Sequence, residues 1–220
     1  MLRDWLAPVT VEAFIESCLR RVPYARPSAA SNALPLLDWD VLSAVLEARP
    51  SPDVLVATRG RLVDVPAPRS LTAVRELMHR GLGVVVRNAE LHDRHLAELA
   101  RAFAGDLHGE VHVQLYATPA NTQTFGWHFD FEDVFIAQTV GTKDYYFRDN
   151  TVARHVIAGP HPDFGAISRE TSPLLSATLI PGDWLYIPSR WWHLVRSVED
   201  ALSISIGVVP LAGRYGLAGE

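Results

Sequence analysis

In the stretch Gly126-Trp127-His128-Phe129-Asp130, an imidazole and a carboxylate stand two residues apart. On an extended strand that spacing puts both on one face and turns Phe129 to the other. A third candidate ligand, His193, closes the segment Pro181-Gly182-Asp183-Trp184-Leu185-Tyr186-Ile187-Pro188-Ser189-Arg190-Trp191-Trp192-His193. There a tight turn, a short strand and a second turn deliver the histidine, and antiparallel pairing can bring it back to the first two. Two neutral imidazoles and one carboxylate on one face of an octahedral metal leave three positions open, the ligand set suited to Fe(II) and O2 chemistry. A plainer reading makes the histidines satisfied, half-buried residues of apolar strands and Asp130 a turn cap; the paired placement favours the metal.

The other seven histidines (His79, His92, His95, His108, His112, His155 and His161) show no comparable pairing and read as surface residues. The one cysteine, Cys18, cannot form an internal disulfide or a thiolate zinc cluster, and its helical spacing makes it a packing residue.

These ligands need a scaffold of short strands. Residues 110–117, 125–131, 133–140, 143–148, 151–157, 174–180, 183–187, 192–198 and 201–209 read as strands, punctuated at Gly141, Gly159-Pro160, Pro181-Gly182, Pro188-Ser189 and Glu199-Asp200. The expected fold is mainly β, a double-stranded β-helix (jelly roll, cupin-like) with N-terminal α-helices bracing one sheet. Helices are expected over 11–22, capped by Thr10 and stopped by Pro23, over 39–48, up to Gly81, and over 92–104, ended by Gly105. A hairpin is expected from Asp53 to Val56 and Arg61 to Val65, and a strand from Val84 to Val86. Residues 1–105 thus form a helical and mixed N-terminal portion packed on a catalytic core at 106–220, the two making one integrated domain.

At 220 residues and 48% hydrophobic content the chain can bury a full core. Its 20 Lys plus Arg against 25 Asp plus Glu give a net charge of −5, without the basic stripe that a phosphate backbone needs, so nucleic acid is not an expected partner. No run approaches the ~20 apolar residues of a membrane span, and the N-terminus does not read as a secretory signal. A cytoplasmic location, away from membranes, is expected.

The stretch Tyr116-Ala-Thr118-Pro119-Ala-Asn121-Thr-Gln123-Thr-Phe125-Gly-Trp-His128-Phe-Asp130, followed by Phe135, Gln138, Gly141 and Lys143, closely resembles the Jumonji C oxygenases, and among them the ribosomal oxygenases. The resemblance is firm over about 83–208. It implies Fe(II) on His128, Asp130 and His193, with 2-oxoglutarate and O2 as cosubstrates and Lys143 pairing with the distal carboxylate of 2-oxoglutarate. Ser203 or Ser205, whose hydroxyls share a strand face, would donate to the same carboxylate. Tyr116 and Asn121 occupy family positions near cosubstrate or substrate.

The implied activity is a dioxygenase that hydroxylates an unactivated C–H of a residue in a peptide or protein. A small-molecule hydroxylase and a metal-binding cupin of other chemistry are the alternatives. Ribosomal oxygenases continue into a dimerisation region and a winged-helix-like domain; this sequence, ending at Glu220, is expected to lack both, and a homodimer stays open. After the lysine, Asp144-Tyr145-Tyr146-Phe147 replaces the usual basic and aromatic residues, to line a different pocket or simply pack. Trp184, Tyr186, Trp191 and Trp192 are candidates for pocket walls or for core.

Overall fold

The computed structural model describes residues 1–153 and 164–211. Its N-terminal part runs through α1 (Leu2–Leu6), α2 (Val11–Ser17), β1 (Tyr24–Arg26), a 3-10 turn at Ser31–Leu36, α3 (Trp39–Glu47), β2 (Asp53–Thr58), β3 (Arg61–Leu62), α4 (Leu71–His79), β4 (Gly83–Arg87) and α5 (Arg94–Leu107). The rest is built from β5 (Gly109–Thr118), β6 (Asp133–Val140), β7 (Lys143–Arg148), a 3-10 turn at Phe164–Arg169, β8 (Leu175–Leu179), β9 (Trp184–Ile187), β10 (Trp192–Ser197) and β11 (Ala201–Pro210).

Two antiparallel sheets face each other: eight strands in the order β1-β9-β6-β11-β5-β4-β2-β3, and three in the order β10-β7-β8. Alternation along the central strands divides their labour. Leu202, Ile204 and Ile206 of β11, Phe135 and Ala137 of β6, and Trp184 and Tyr186 of β9 turn outward and pack with Trp5, Phe14, Leu96, Phe103 and other helix residues in the main core. The intervening Ser203, Ser205, Val134 and Ile136 turn inward to a cavity between the sheets. The helices brace the larger sheet as expected. Four strands from residues 1–105 also join it, so its hydrogen bonding runs across the boundary at 105.

Helix starts follow local chemistry. The side chains of Thr10, Asp38, Ser70 and Asp93 accept backbone N–H groups at the starts of α2, α3, α4 and α5. Cys18 packs half-buried against the core.

Several expectations need correction. The helix from 11 ends at Ser17, not 22: Arg20 takes a left-handed φ of 60° and donates its N–H to the Tyr186 hydroxyl, 2.7 Å away. Helix α5 passes through Gly105 to Leu107, because Leu107 extends its buried stripe one turn beyond Phe103; His108, at φ 47°, is the left-handed cap. Residues 125–131 form no strand. Only His128 pairs, in a single bridge with His193. Of the segment 151–157, residues 151–153 are bends held by the Glu170 carboxylate, which accepts the N–H and hydroxyl of Thr151, and 154–157 lie outside the described residues. The second arm of the early hairpin is only Arg61–Leu62.

Candidate metal centre and cosubstrate cavity

The bridge between residues 128 and 193 is reciprocal: His128 N–H donates to the His193 carbonyl at 3.1 Å, and His193 N–H to the His128 carbonyl at 2.8 Å. Arg190 N–H donates to the Asp130 carbonyl at 2.7 Å. These bonds fasten the irregular 126–130 segment to the turn that enters β10. Pairing across elements, rather than a shared strand face, therefore unites the three residues. One donor atom from each of His128, Asp130 and His193 lies within 4.8 Å of the others.

The backbone fixes which imidazole nitrogen is available. His128 Nδ1 lies 2.8 Å from the Gly126 carbonyl oxygen and His193 Nδ1 lies 3.1 Å from that of Trp191. A carbonyl only accepts, so each Nδ1 carries the hydrogen and each Nε2 is left as the ligand atom. Burial, reinforced by the charge of His193, lowers the His128 pKa to about 4, so His128 is neutral at pH 7. Burial would raise Asp130, but the hydrogen bond and charge of His193, whose Nε2 is 3.4 Å from the carboxylate, bring it down to about 2. Burial would lower His193, but the hydrogen bond and charge of Asp130 raise it, so a divalent cation would take the place of the proton that His193 Nε2 shares with Asp130. With that exchange, two neutral imidazoles and an ionised carboxylate fit a facially bound Fe(II).

Deeper in the same cavity, of about 570 Å³, lies Lys143. It is 2% exposed. Its ammonium donates to Ser203 Oγ at 2.8 Å and lies 5.7 Å from the centre of the Tyr116 ring, and it forms no ion pair among the described residues. Burial lowers its pKa to about 7. A buried ammonium that faces a cavity and forms no ion pair with a carboxylate among the described residues is what the far end of a dicarboxylate would complete.

Tyr116, Lys143, Ser203 and Ser205 all line the cavity with the three candidate ligands. Asn121 does not; at φ 56° it turns into a separate outer groove with Gln123. Trp184, Tyr186, Trp191 and Trp192 are core rather than cavity wall, in three apolar clusters. Of the other histidines, His79, His95 and His108 are exposed and His92 and His112 half-buried, none in a metal-binding group among the described residues; His155 and His161 lie outside those residues.

Thr124 and Tyr145 line the cavity as well; Thr124 was not singled out in the sequence, and Tyr145 was left open there between pocket wall and packing. Thr124 is buried with a hydroxyl lacking a hydrogen-bond partner among the described residues. Tyr145 approaches the same Ser203 as Lys143, and burial raises its phenol pKa. Alternation could have found Tyr145, two residues from Lys143 on one strand; nothing local marks Thr124. Composition carries a further signal: Lys143 is the only lysine among 220 residues, in a chain that otherwise uses arginine for positive charge.

A JmjC domain family model matches residues 87–214. The "Bifunctional lysine-specific demethylase and histidyl-hydroxylase NO66" of Drosophila pseudoobscura pseudoobscura is 24% identical over 215 residues, covering 93% of this chain and 22% of that protein. "Jumonji C domain-containing protein 5" of Drosophila melanogaster is 28% identical over 116 residues, covering 46% of this chain and 28% of that one. This chain thus spans under a third of the length of these relatives. A solved structure of YcfD, described as a ribosomal oxygenase from Escherichia coli, in complex with cobalt and 2-oxoglutarate, superposes with a TM-score of 0.65 at 16% identity, covering 94% of this chain and 53% of that one. That likeness shows the shared fold. With the family model spanning more than half of the sequence, over the segments that carry both histidines and the lysine, the chain belongs to the JmjC domain family.

Proposed function

We propose that the protein is an Fe(II)- and 2-oxoglutarate-dependent dioxygenase that hydroxylates an unactivated C–H of a residue in a protein or peptide. The observation that carries this reading is the pairing, in one cavity, of a two-histidine, one-carboxylate donor set with a buried ammonium that has no ion-pair partner among the described residues. Fe(II), 2-oxoglutarate and O2 together would supply the oxidation, with conversion of 2-oxoglutarate to succinate and CO2 coupled to insertion of one oxygen atom into the substrate C–H. His128 and His193 would present their Nε2 atoms to the metal, and Asp130 would offset part of its charge. Lys143, steadied by Ser203, would hold the distal carboxylate and so point the 2-oxo acid end toward the metal. Phe125, Val134, Ile136 and Val195 line the cavity between these polar ends and limit water there.

The choice of a protein substrate rests on the relatives: one is named a histidyl-hydroxylase and another described as a ribosomal oxygenase. No helix among the described residues is long and apolar enough to cross a membrane. Together with the single, half-buried cysteine, this agrees with the cytoplasmic location inferred here.

The test is an anaerobic titration of the metal-free protein with Fe(II) and then 2-oxoglutarate, monitored for the visible charge-transfer band of a bidentate 2-oxo acid on iron. The band should appear, and His128→Ala should lack it. Iron binding without the band would refute the cosubstrate assignment. Substrate-dependent succinate formation, with a gain of one oxygen atom on a peptide, would then test the substrate class.

A further inference from the structure

On the outer side of the 121–124 loop, away from the metal cavity, lies a solvent-open groove of about 830 Å³. Three arginines from three separate elements line it: Arg59 from the turn between β2 and β3, Arg80 from the end of α4, and Arg196 from β10. The remaining lining residues, among them Asn121 and Gln123, include no carboxylate. None of the three guanidinium groups forms an ion pair or hydrogen bond among the described residues. Asp144 pairs with Arg196 across the strands, yet its carboxylate accepts the Thr178 hydroxyl at 2.7 Å instead. A chain of net charge −5 therefore gathers in one concavity three guanidinium groups that form no ion pair among the described residues.

The backbone around the groove is arranged to the same effect. The carbonyl of Thr122 accepts from Ser197 N–H at 2.9 Å, that of Gln123 from Arg59 N–H at 3.0 Å, and that of Thr124 from Gly60 N–H at 3.1 Å. The Gly81 carbonyl accepts the Thr58 hydroxyl at 3.1 Å. The carbonyls of three groove residues, Thr122, Gln123 and Gly81, and that of the adjoining Thr124 thus already have partners. Guanidinium, Asn121 carboxamide and Gln123 carboxamide groups are left to face the space.

We propose that this groove is a second binding site, for a small multivalent oxyanion, either a polycarboxylate or a phosphate ester. The planar forks of arginine match carboxylate and phosphate oxygens in pairs. The cations sit within one groove rather than along a stripe, which suits a compact ligand and not a nucleic-acid backbone. The site is distinct from the cosubstrate cavity, since its lining shares no residue with that cavity; the two lie on either side of the loop whose next residues, Thr124 and Phe125, line the cavity.

The test is calorimetric titration of the full chain, with Fe(II) and saturating 2-oxoglutarate present anaerobically so that the metal cavity is occupied. Benzene-1,3,5-tricarboxylate and fructose 1,6-bisphosphate are the two probes. Binding of the first alone assigns a polycarboxylate, and of the second alone a phosphate ester; binding of both supports the shared oxyanion chemistry. Arg59→Gln, Arg80→Gln and Arg196→Gln, all at exposed positions, should each weaken the bound probe about tenfold, the loss expected for one charge-assisted contact. Arg101→Gln, an exposed arginine elsewhere, should leave it unchanged. Absence of binding by both probes, or equal binding by the three groove variants and the native chain, overturns the proposal.

Discussion

Lys143 carries two consequences of one physical fact, a buried ammonium with a hydroxyl neighbour and no ion-pair partner among the described residues. Burial brings its pKa to about 7, against ~10.4 for an exposed lysine. A distal carboxylate prefers the charged form, so above that pKa binding must take up a proton. Affinity for 2-oxoglutarate should then be full below pH 7 and fall as pH rises through it, approaching tenfold per unit. Titrations of the anaerobic iron complex at pH 6, 7, 8 and 9 would measure this; a flat profile would contradict the ammonium's role. Lys143→Ala should weaken 2-oxoglutarate by about 2 kcal/mol or more, roughly thirtyfold, while leaving metal affinity near native. As the only lysine, Lys143 should also be the one internal site for amine acylation, and 2-oxoglutarate should protect it. Peptide mass mapping after labelling with and without cosubstrate would show this. That His128, Asp130, His193 and Lys143 gather in one cavity was legible because metal and carboxylate chemistry restrict the residue types worth pairing. Asn121 falls elsewhere: a family position gives a residue's place along the chain, while at φ 56° it lines the outer groove and not the cavity.

At the scale of elements, strands bounded by turn residues such as Gly141, Pro181-Gly182 and Pro188 were readable, and β6, β7 and β9 fall within a residue of expectation. The 125–131 segment was not, since its path is set by long-range bonds: Arg59 and Gly60 N–H groups hold the carbonyls of Gln123 and Thr124, and residue 193 holds residue 128. Local pattern contains none of those partners. Asp133 is another such tie. Wholly buried, it accepts the Tyr186 hydroxyl at 2.6 Å and the Ser189 N–H at 3.1 Å and pairs with Arg20, fastening the turn that leads to His193 onto β6. Asp133→Ala should leave the Tyr186 hydroxyl, the Ser189 N–H and the Arg20 guanidinium without this acceptor and lower stability by about 2–4 kcal/mol in urea unfolding. Because the turn it releases also donates Arg190 N–H to Asp130, the variant should bind Fe(II) more weakly even where still folded. Native metal affinity in the folded variant would assign Asp133 to stability alone.

Across the whole molecule, the question is whether residues 1–105 and 106–211 behave as one unit. In the main core, Trp5 and Phe103 of the N-terminal portion meet ring to ring at 5.4 Å, and Trp5 also approaches Trp184 of β9 at 5.8 Å. Trp184 donates its indole N–H to the Trp5 carbonyl at 3.1 Å, and β1 and β4 pair with β9 and β5. Separating the portions would expose the outward face of β6, β9 and β11 and break strand pairing at two places in one sheet. Neither half can therefore keep its apolar surface covered alone, and unfolding should be a single cooperative transition. Backbone circular dichroism and tryptophan fluorescence should give coincident urea curves, as Trp5 and Trp39 report on the first portion and Trp127, Trp184, Trp191 and Trp192 on the second. Replacing Trp5 by Phe would retain the fold while shifting the fluorescence baseline. Two separated midpoints would show instead that the helical portion is a layer that can detach from a self-sufficient β core.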